Sequence, residues 1–113
     1  MSAGRSLQFT PVAVTVAVAS PGSELVAAPT NTGRLRVESC MVDTAVGSFR
    51  VVLTEGSGGR IVHTVTVSLA SGPHVHDTDM CRGLKPNTAL YYYVDNVVGG
   101  PAVGEIIVGW EAG

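Results

Sequence analysis

The chain has 113 residues, of which 45% are hydrophobic, 14% are charged and 5% are aromatic, with a formal net charge of −2. This length fits one domain with a single core, and the composition excludes an intrinsically disordered chain. One lysine, Lys85, and a slightly acidic balance give no basic field, and no run reaches the roughly 18 apolar residues of a membrane span. Neither nucleic acid nor a membrane is therefore expected as a partner.

The N-terminal region alternates valine with smaller residues from Val12 to Val18, which predicts a strand. Arg5 followed by this apolar stretch also resembles a short signal peptide, but the strict alternation favours the strand. One β-sandwich domain is expected to span residues 1–113. The Pro and Gly of residues 20–23 predict a turn, followed by a short strand over 24–28 and a second turn over 29–33.

Two long alternating stretches occupy the middle of the chain. Residues 34–41 place charged side chains on even positions, and residues 48–54 place Phe49, Val51 and Leu53 on one face. The same period returns over residues 61–69. Glycine-containing segments at 43–47 and 55–59 predict the connections between these strands, each of hairpin length.

The C-terminal third begins with a loosely patterned segment, residues 71–83, and a predicted loop over 84–88. Residues 89–94 then predict a strand with Tyr91 and Tyr93 on one face and Tyr92 on the other, between Leu90 and Val94. A turn is predicted over 95–101. The final strand, 104–111, aligns Ile106, Val108 and Trp110 and places Ile107 on the opposite face.

These elements predict an all-β fold, because no stretch shows a sustained helical stripe. About eight antiparallel strands in this length fit a two-sheet sandwich of jelly-roll or Greek-key type. An immunoglobulin-like sandwich is less favoured, since the single Trp does not lie between Cys40 and Cys81. The parity of the strands predicts a core that contains Val37, Phe49, Val51, Leu53, Val65, Val67, Val94 and Val108.

Cysteine and histidine do not form a recognisable site. Cys40 and Cys81 are too few for a disulfide framework, and two buried, unpaired thiols are favoured over one bridge, which leaves the redox compartment open. His74 and His76 would point the same way in an extended segment, with Asp77 or Asp79 nearby, but no distant third ligand is evident. We therefore expect solvated loop residues there, and neither a metal nor another cofactor. His63 follows the apolar parity of its strand, which predicts a half-buried, hydrogen-bonded side chain.

The sequence predicts no catalytic residues and no enzyme. It has neither a glycine-framed nucleophile nor a phosphate-binding loop, and the glycines of residues 56–59 have strand neighbours where a phosphate loop needs a helix. A thiol and base built from Cys40 or Cys81 with His63 or His74 would require a proximity that nothing in the sequence predicts.

Candidate binding residues come from apolar or aromatic side chains that the single core does not accommodate. Tyr91 and Tyr93 share the face opposite Tyr92, so aromatic surface lies on both sides of that strand, and a cross-strand pair explains it as well as an interface or sugar platform does. Ile107 lies on the face opposite Ile106, where another subunit would have to cover it. The candidate interface residues are Tyr91, Tyr93, Ile107 and Trp110.

Residues 32–39, 53–59 and 83–93 together resemble small β-sandwich virion proteins of tailed bacteriophages, namely capsid decoration (cement) proteins and related head and tail accessory proteins. The resemblance implies a non-enzymatic structural subunit of the virion. Such a subunit is usually a homotrimer that binds the capsid exterior through the major capsid protein or another virion protein. Binding in this family often uses an N-terminal arm, for which residues 1–10, a short segment, are the candidate. The alternative is a carbohydrate-binding or receptor-binding module. Aromatic side chains of Tyr91, Tyr93 or Trp110 that stay exposed in the oligomer would favour this binding module over the virion subunit.

Overall fold

The computed structural model describes residues 8–14, 18–29, 35–68, 74–76 and 84–112, and β-strands account for most of them. The strands are β1 (Gln8–Val14), β2 (Ser23–Val26), β3 (Leu35–Glu55), β4 (Ile61–Ser68), β5 (His74–His76) and β6 (Leu90–Ala112). Within these ranges every strand pairing is antiparallel and no helix occurs, which confirms the all-β prediction. The described residues accordingly contain no helix that could cross a membrane.

The two long strands, β3 and β6, pair with each other along nearly their whole length and form the centre of the sheet. The strand order is β1-β6-β3-β4, with β2 also paired to β6 and β5 also paired to β3. Residues 35–44 of β3 and 104–112 of β6, with β1 and β5, form what we call the first half-sheet. Residues 48–55 of β3 and 90–98 of β6, with β2 and β4, form the second half-sheet.

The half-sheets meet at a bend where the pairing of β3 with β6 changes register three times between Thr44 and Arg50. The predicted turns at residues 43–47 and 95–101 are wrong, because both segments continue as strands. Their glycines and asparagine fit bulges in place of chain reversals: Gly47, Asn96 and Gly99 all have positive φ. When the two halves of β3 and of β6 are counted separately, the six strands give eight segments, in line with the predicted count of about eight, although one of them, β5, was not among the predicted strands.

A single hydrophobic core receives side chains from both half-sheets. It includes Leu35 and Val42 of the first half-sheet together with Leu25 and Leu53 of the second, and Leu84 from the loop before β6. This shared core is consistent with the predicted two-layer sandwich. All eight residues predicted for the core are buried in it, namely Val37, Phe49, Val51, Leu53, Val65, Val67, Val94 and Val108.

Local predictions have mixed outcomes. The connection after β3 is a hairpin as predicted, in which the Glu55 amide donates to the Arg60 carbonyl at 2.9 Å. The segment 71–83 is not wholly irregular, because β5 lies within it opposite residues 40–42, while residues 71–73 and 77–83 lie outside the described part. Residues 8–10 of the candidate N-terminal arm belong to β1, and residues 1–7 lie outside the described part.

A candidate assembly surface on the outer face of the first half-sheet

The placement of Ile107 follows from the two-residue period of β6. Ile106 and Val108 are fully buried in the core, so Ile107 between them points to the outer face of the first half-sheet, where it is half-buried. Its register partners are Pro11 on β1 and Met41 on β3. The sequence prediction that Ile107 lies opposite Ile106 is therefore confirmed.

Ile107 belongs to a row of apolar side chains that runs across three strands. We call this row, formed by Phe9, Pro11, Ile107 and Met41, the outer apolar stripe. Phe9 is 61% exposed, and its register partner on β6 is Gly109, which has no side chain to cover it. Met41 is half-buried and Pro11 is exposed. The stripe thus leaves an aromatic ring and neighbouring aliphatic groups in contact with water.

Charged residues border the stripe on both sides along the strand direction. On one side Asp43 lies opposite Glu105, two residues from Met41 and Ile107 respectively. On the other side Arg36 lies opposite Glu111, and Arg36 Nη1 is 3.5 Å from Glu111 Oε1. An apolar centre with a charged border is the usual composition of a protein–protein interface.

The outer face of the second half-sheet is different, because its apolar centre is buried. Val52 points away from the core, between Val51 and Leu53, yet it is fully buried. Its register partners are Tyr93 on β6 and Thr64 on β4. Tyr91 and Tyr93 are half-buried on this face, and Tyr92 is buried in the core between them, as the sequence predicts.

A bidentate ion pair lies next to Tyr93 on this second face. Arg50 and Asp95 are register partners, with Nε to Oδ1 at 2.7 Å and Nη2 to Oδ2 at 2.5 Å. These hydrogen bonds lower the pKa of Asp95 and raise the pKa of Arg50. Both charges are matched within the chain, so this face combines tyrosine rings with a neutralised polar border.

Trp110 lies on the inner side of the sheet and not on either outer face. It is opposite Val37 in the register and packs against the core, half-buried. Its indole Nε1 donates to Thr10 Oγ1 at 2.8 Å, so the polar end of the ring is satisfied inside the subunit. The four candidate interface residues therefore lie in three separate places, and the role of each in an interface stays a prediction.

Three stripe residues, Phe9, Pro11 and Met41, were missed by the sequence reasoning. They belong to strands far apart in the chain and meet Ile107 only through long-range pairing. The one local signal was the alternation of β1, in which Phe9 and Pro11 occupy the parity opposite Val12.

The described residues that carry reactive or metal-binding groups do not converge. Cys40 is unpaired and buried, as predicted, and burial raises the pKa of its thiol to about 11, which makes it a poor nucleophile near neutral pH. His63 is half-buried on β4. Within the described ranges no three metal-binding residues form a cluster. His74 and His76 lie in β5 without described side chains, and Asp77, Asp79 and Cys81 lie outside the described part.

No family model matches the chain, and no curated protein matches it either. Among solved structures it is similar to the nucleoplasmin-like N-terminal domain of Drosophila FKBP39, with a TM-score of 0.48, 12% identity and coverage of 97% of this chain and 91% of that chain. It is also similar to a structure of Bacillus endospore appendages, described as disulfide-linked pili, with a TM-score of 0.44, 13% identity and coverage of 99% and 90%.

A third similar structure is the virus-like particle of the extra small virus of the prawn Macrobrachium rosenbergii, with a TM-score of 0.40, 12% identity and coverage of 99% and 80%. At these identities and TM-scores, no functional assignment to this chain follows from the three likenesses.

Proposed function

We propose that this chain is a non-enzymatic structural subunit that self-associates through the outer apolar stripe. The observation that carries the proposal is the position of Phe9, 61% exposed at the end of a row that continues through Ile107 to Met41. A single core cannot cover both faces of the first half-sheet. Apolar rows of this kind are usually covered by another protein surface in the working assembly.

A second copy of the chain fits the stripe because one border contains Arg36, paired with Glu111, and the other contains only the carboxylates of Asp43 and Glu105. A two-fold axis that runs along the stripe, between the two facing half-sheets, exchanges the two borders, so that Arg36 of one copy approaches Asp43 and Glu105 of the other. The apolar rows then pack on each other as two sheets do, about 10 Å apart. The phage resemblance implies a trimer and the charged borders fit a two-fold pair, so the oligomeric mass decides between them.

Light scattering coupled to size-exclusion chromatography tests the proposal. We expect wild type to be oligomeric at tens of micromolar and Phe9→Asp to have a lower mass, because the new charge would be buried in the contact. Val98→Asp is the matched control, since Val98 is a 65% exposed residue at the bend, outside the stripe. A monomeric wild type, or equal losses in both variants, would contradict self-association through this surface.

The more specific form of the proposal is a capsid decoration or related accessory subunit on the virion exterior, bound to the major capsid protein or another virion protein. Its support is the resemblance carried by residues 32–39, 53–59 and 83–93. Repeated subunits would gain avidity on a symmetric lattice from individually weak contacts. Co-sedimentation with undecorated capsid shells tests it, and a protein that stays in the supernatant would refute the capsid role while leaving self-association open.

A carbohydrate-binding or receptor-binding module is the second candidate, favoured by the outer face of the second half-sheet. Tyr91 and Tyr93 lie there beside the Arg50–Asp95 pair, a combination of ring surface and polar groups that sugars contact. Screening against immobilised oligosaccharides, with Tyr93→Ala as the binding-defective variant and Phe9→Asp as the control, tests this role. Equal binding by Tyr93→Ala and wild type would exclude it.

A further inference from the structure

The two outermost long strands of the sheet differ in how they are protected against pairing with another chain. β1 and β4 end the strand order, so each has one backbone edge without a strand partner in the described part of the chain. Natural edge strands usually carry charge or proline that prevents association. β1 contains Pro11, whereas β4, with the sequence IVHTVTVS, contains neither proline nor a charged residue.

The composition of β4 favours pairing strongly. Six of its eight residues are β-branched, which is the composition with the highest strand propensity. Its inner face is fixed by Val65 and Val67, which are buried in the core. Its outer face presents Thr64 and Thr66, both exposed. An added strand would therefore meet a fixed backbone with small, uncharged side chains.

We propose that the edge of β4 that has no strand partner among the described residues pairs antiparallel with β4 of a second copy, centred on Val65. In this register Val65 lies opposite Val65 of the other copy, and Thr64 lies opposite Thr66 on both sides of the axis. The inner faces of the two copies then remain on the same side of the joined sheet. A shift of one residue would place buried valines opposite exposed threonines. The alternation of β4 therefore favours a register in which valine lies opposite valine and threonine opposite threonine. Thr–Thr pairs opposite each other across strands are favourable.

This edge contact is separate from the outer apolar stripe, because β4 belongs to the second half-sheet and the stripe lies on the face of the first. Each contact is two-fold and joins like surfaces. A subunit that has both would build an open chain of copies in which edge and face contacts alternate, and not a closed pair. The edge contact does not depend on the proposed function, and the two can fail independently.

The experiment compares Thr64→Lys/Thr66→Lys with Phe9→Asp by light scattering. In the paired edge the two lysines of each copy lie opposite those of the other, and like charges in that position repel. The proposal predicts that wild type has a mass above a dimer, that each variant alone is a dimer, and that the combined variant is a monomer. If the edge does not pair, Phe9→Asp is a monomer and the lysine variant equals wild type. If instead the stripe fails, Phe9→Asp equals wild type and the lysine variant is a monomer.

Charge complementation provides the second readout. In the Phe9→Asp background, Thr64→Glu/Thr66→Glu should be monomeric, as the lysine variant is. An equimolar mixture of the two variants should recover the dimer, with an association at least tenfold tighter than that of either variant alone. Ser23→Lys/Ala27→Lys is the matched control, because it adds the same charge at exposed positions on and just after β2. Circular dichroism confirms that each variant is folded. A mixture that stays monomeric while both variants are folded would overturn the proposal.

Discussion

Gly47 lies against the carbonyl oxygen of Val98, so closely that a Cβ at position 47 would be 2.4 Å from that oxygen. Gly47 also has a φ of 63°, in the left-handed region that other residues adopt only at a cost. The pair is located where β3 and β6 bend together from one half-sheet to the other. The bend therefore depends on a glycine for two separate reasons, close approach of the backbone and its conformation.

Gly47→Ala should destabilise the protein by clearly more than the ~1–2 kcal/mol that a left-handed backbone alone costs a non-glycine residue. The added methyl group would collide with the backbone of β6, which cannot move without breaking the register of the bend. Gly58→Ala is the matched control: its φ is 69°, but a Cβ there would meet only Pro21 Cβ at 3.7 Å. Urea denaturation measures both, and equal losses of unfolding free energy would show that the contact with Val98 does not matter.

Phe49→Ala should cost about 3 to 5 kcal/mol of unfolding free energy, the usual penalty for deleting a buried aromatic ring. Phe49 is fully buried in the shared core. The chain's other phenylalanine provides the control, because Phe9 is 61% exposed and its replacement by alanine should change the stability of the separated subunit by about 0.5 kcal/mol or less. Denaturation curves of dilute protein test both, and an unchanged midpoint in Phe49→Ala would contradict the assigned core.

The inside and the outside of each strand could be predicted from the sequence, whereas the course of the chain at the bend could not. Alternation identified Phe49, Val51 and Leu53 as core residues because burial on one face requires that period. The segments 43–47 and 95–101 contain the residues of hairpin turns, but those residues serve equally well in bulges. Only the pairing of β3 with β6 at the bend, where the register partners Ser48 and Val98 are 50 residues apart in sequence, decides between the two outcomes.

The candidate surface was predictable only in part, for the same reason. Ile107 could be found because its neighbours Ile106 and Val108 belong to the core, which forces it outward. The other stripe residues, such as Phe9 and Met41, lie on β1 and β3, which both precede β6 in the sequence and flank it on its two sides in the sheet. A stripe that crosses strands has no local sequence pattern, so its members cannot be grouped until the register is known.

Asp95 should make stability depend on pH in the acid range. Its pKa is lowered in the folded protein by the hydrogen bonds from Arg50, while an unfolded aspartate titrates at about 3.9. The stabilisation is therefore present above about pH 4 and is lost as the pH falls through the lower, folded pKa. Denaturation curves of wild type and Asp95→Asn should differ near neutral pH and converge in acid. Arg50→Gln should remove the same difference, and curves that stay parallel at all pH values would argue against the pair.

Cys40 should make stability depend on pH in the alkaline range, with the opposite sign. Burial raises the pKa of its thiol from 9.0 to about 11, so the folded protein keeps the proton after the unfolded chain has lost it. The contribution of the protonated thiol to the free energy of unfolding is then present in full below about pH 9. It is lost as the pH rises towards 11, a fall on the order of 2 to 3 kcal/mol. Tyrosines and other groups also titrate in this range, so the relevant quantity is the difference between wild type and Cys40→Ala. Under reducing conditions this difference should shrink steadily from pH 9 to pH 11. If it stays constant, the Cys40 thiol is more accessible to water than its buried position indicates.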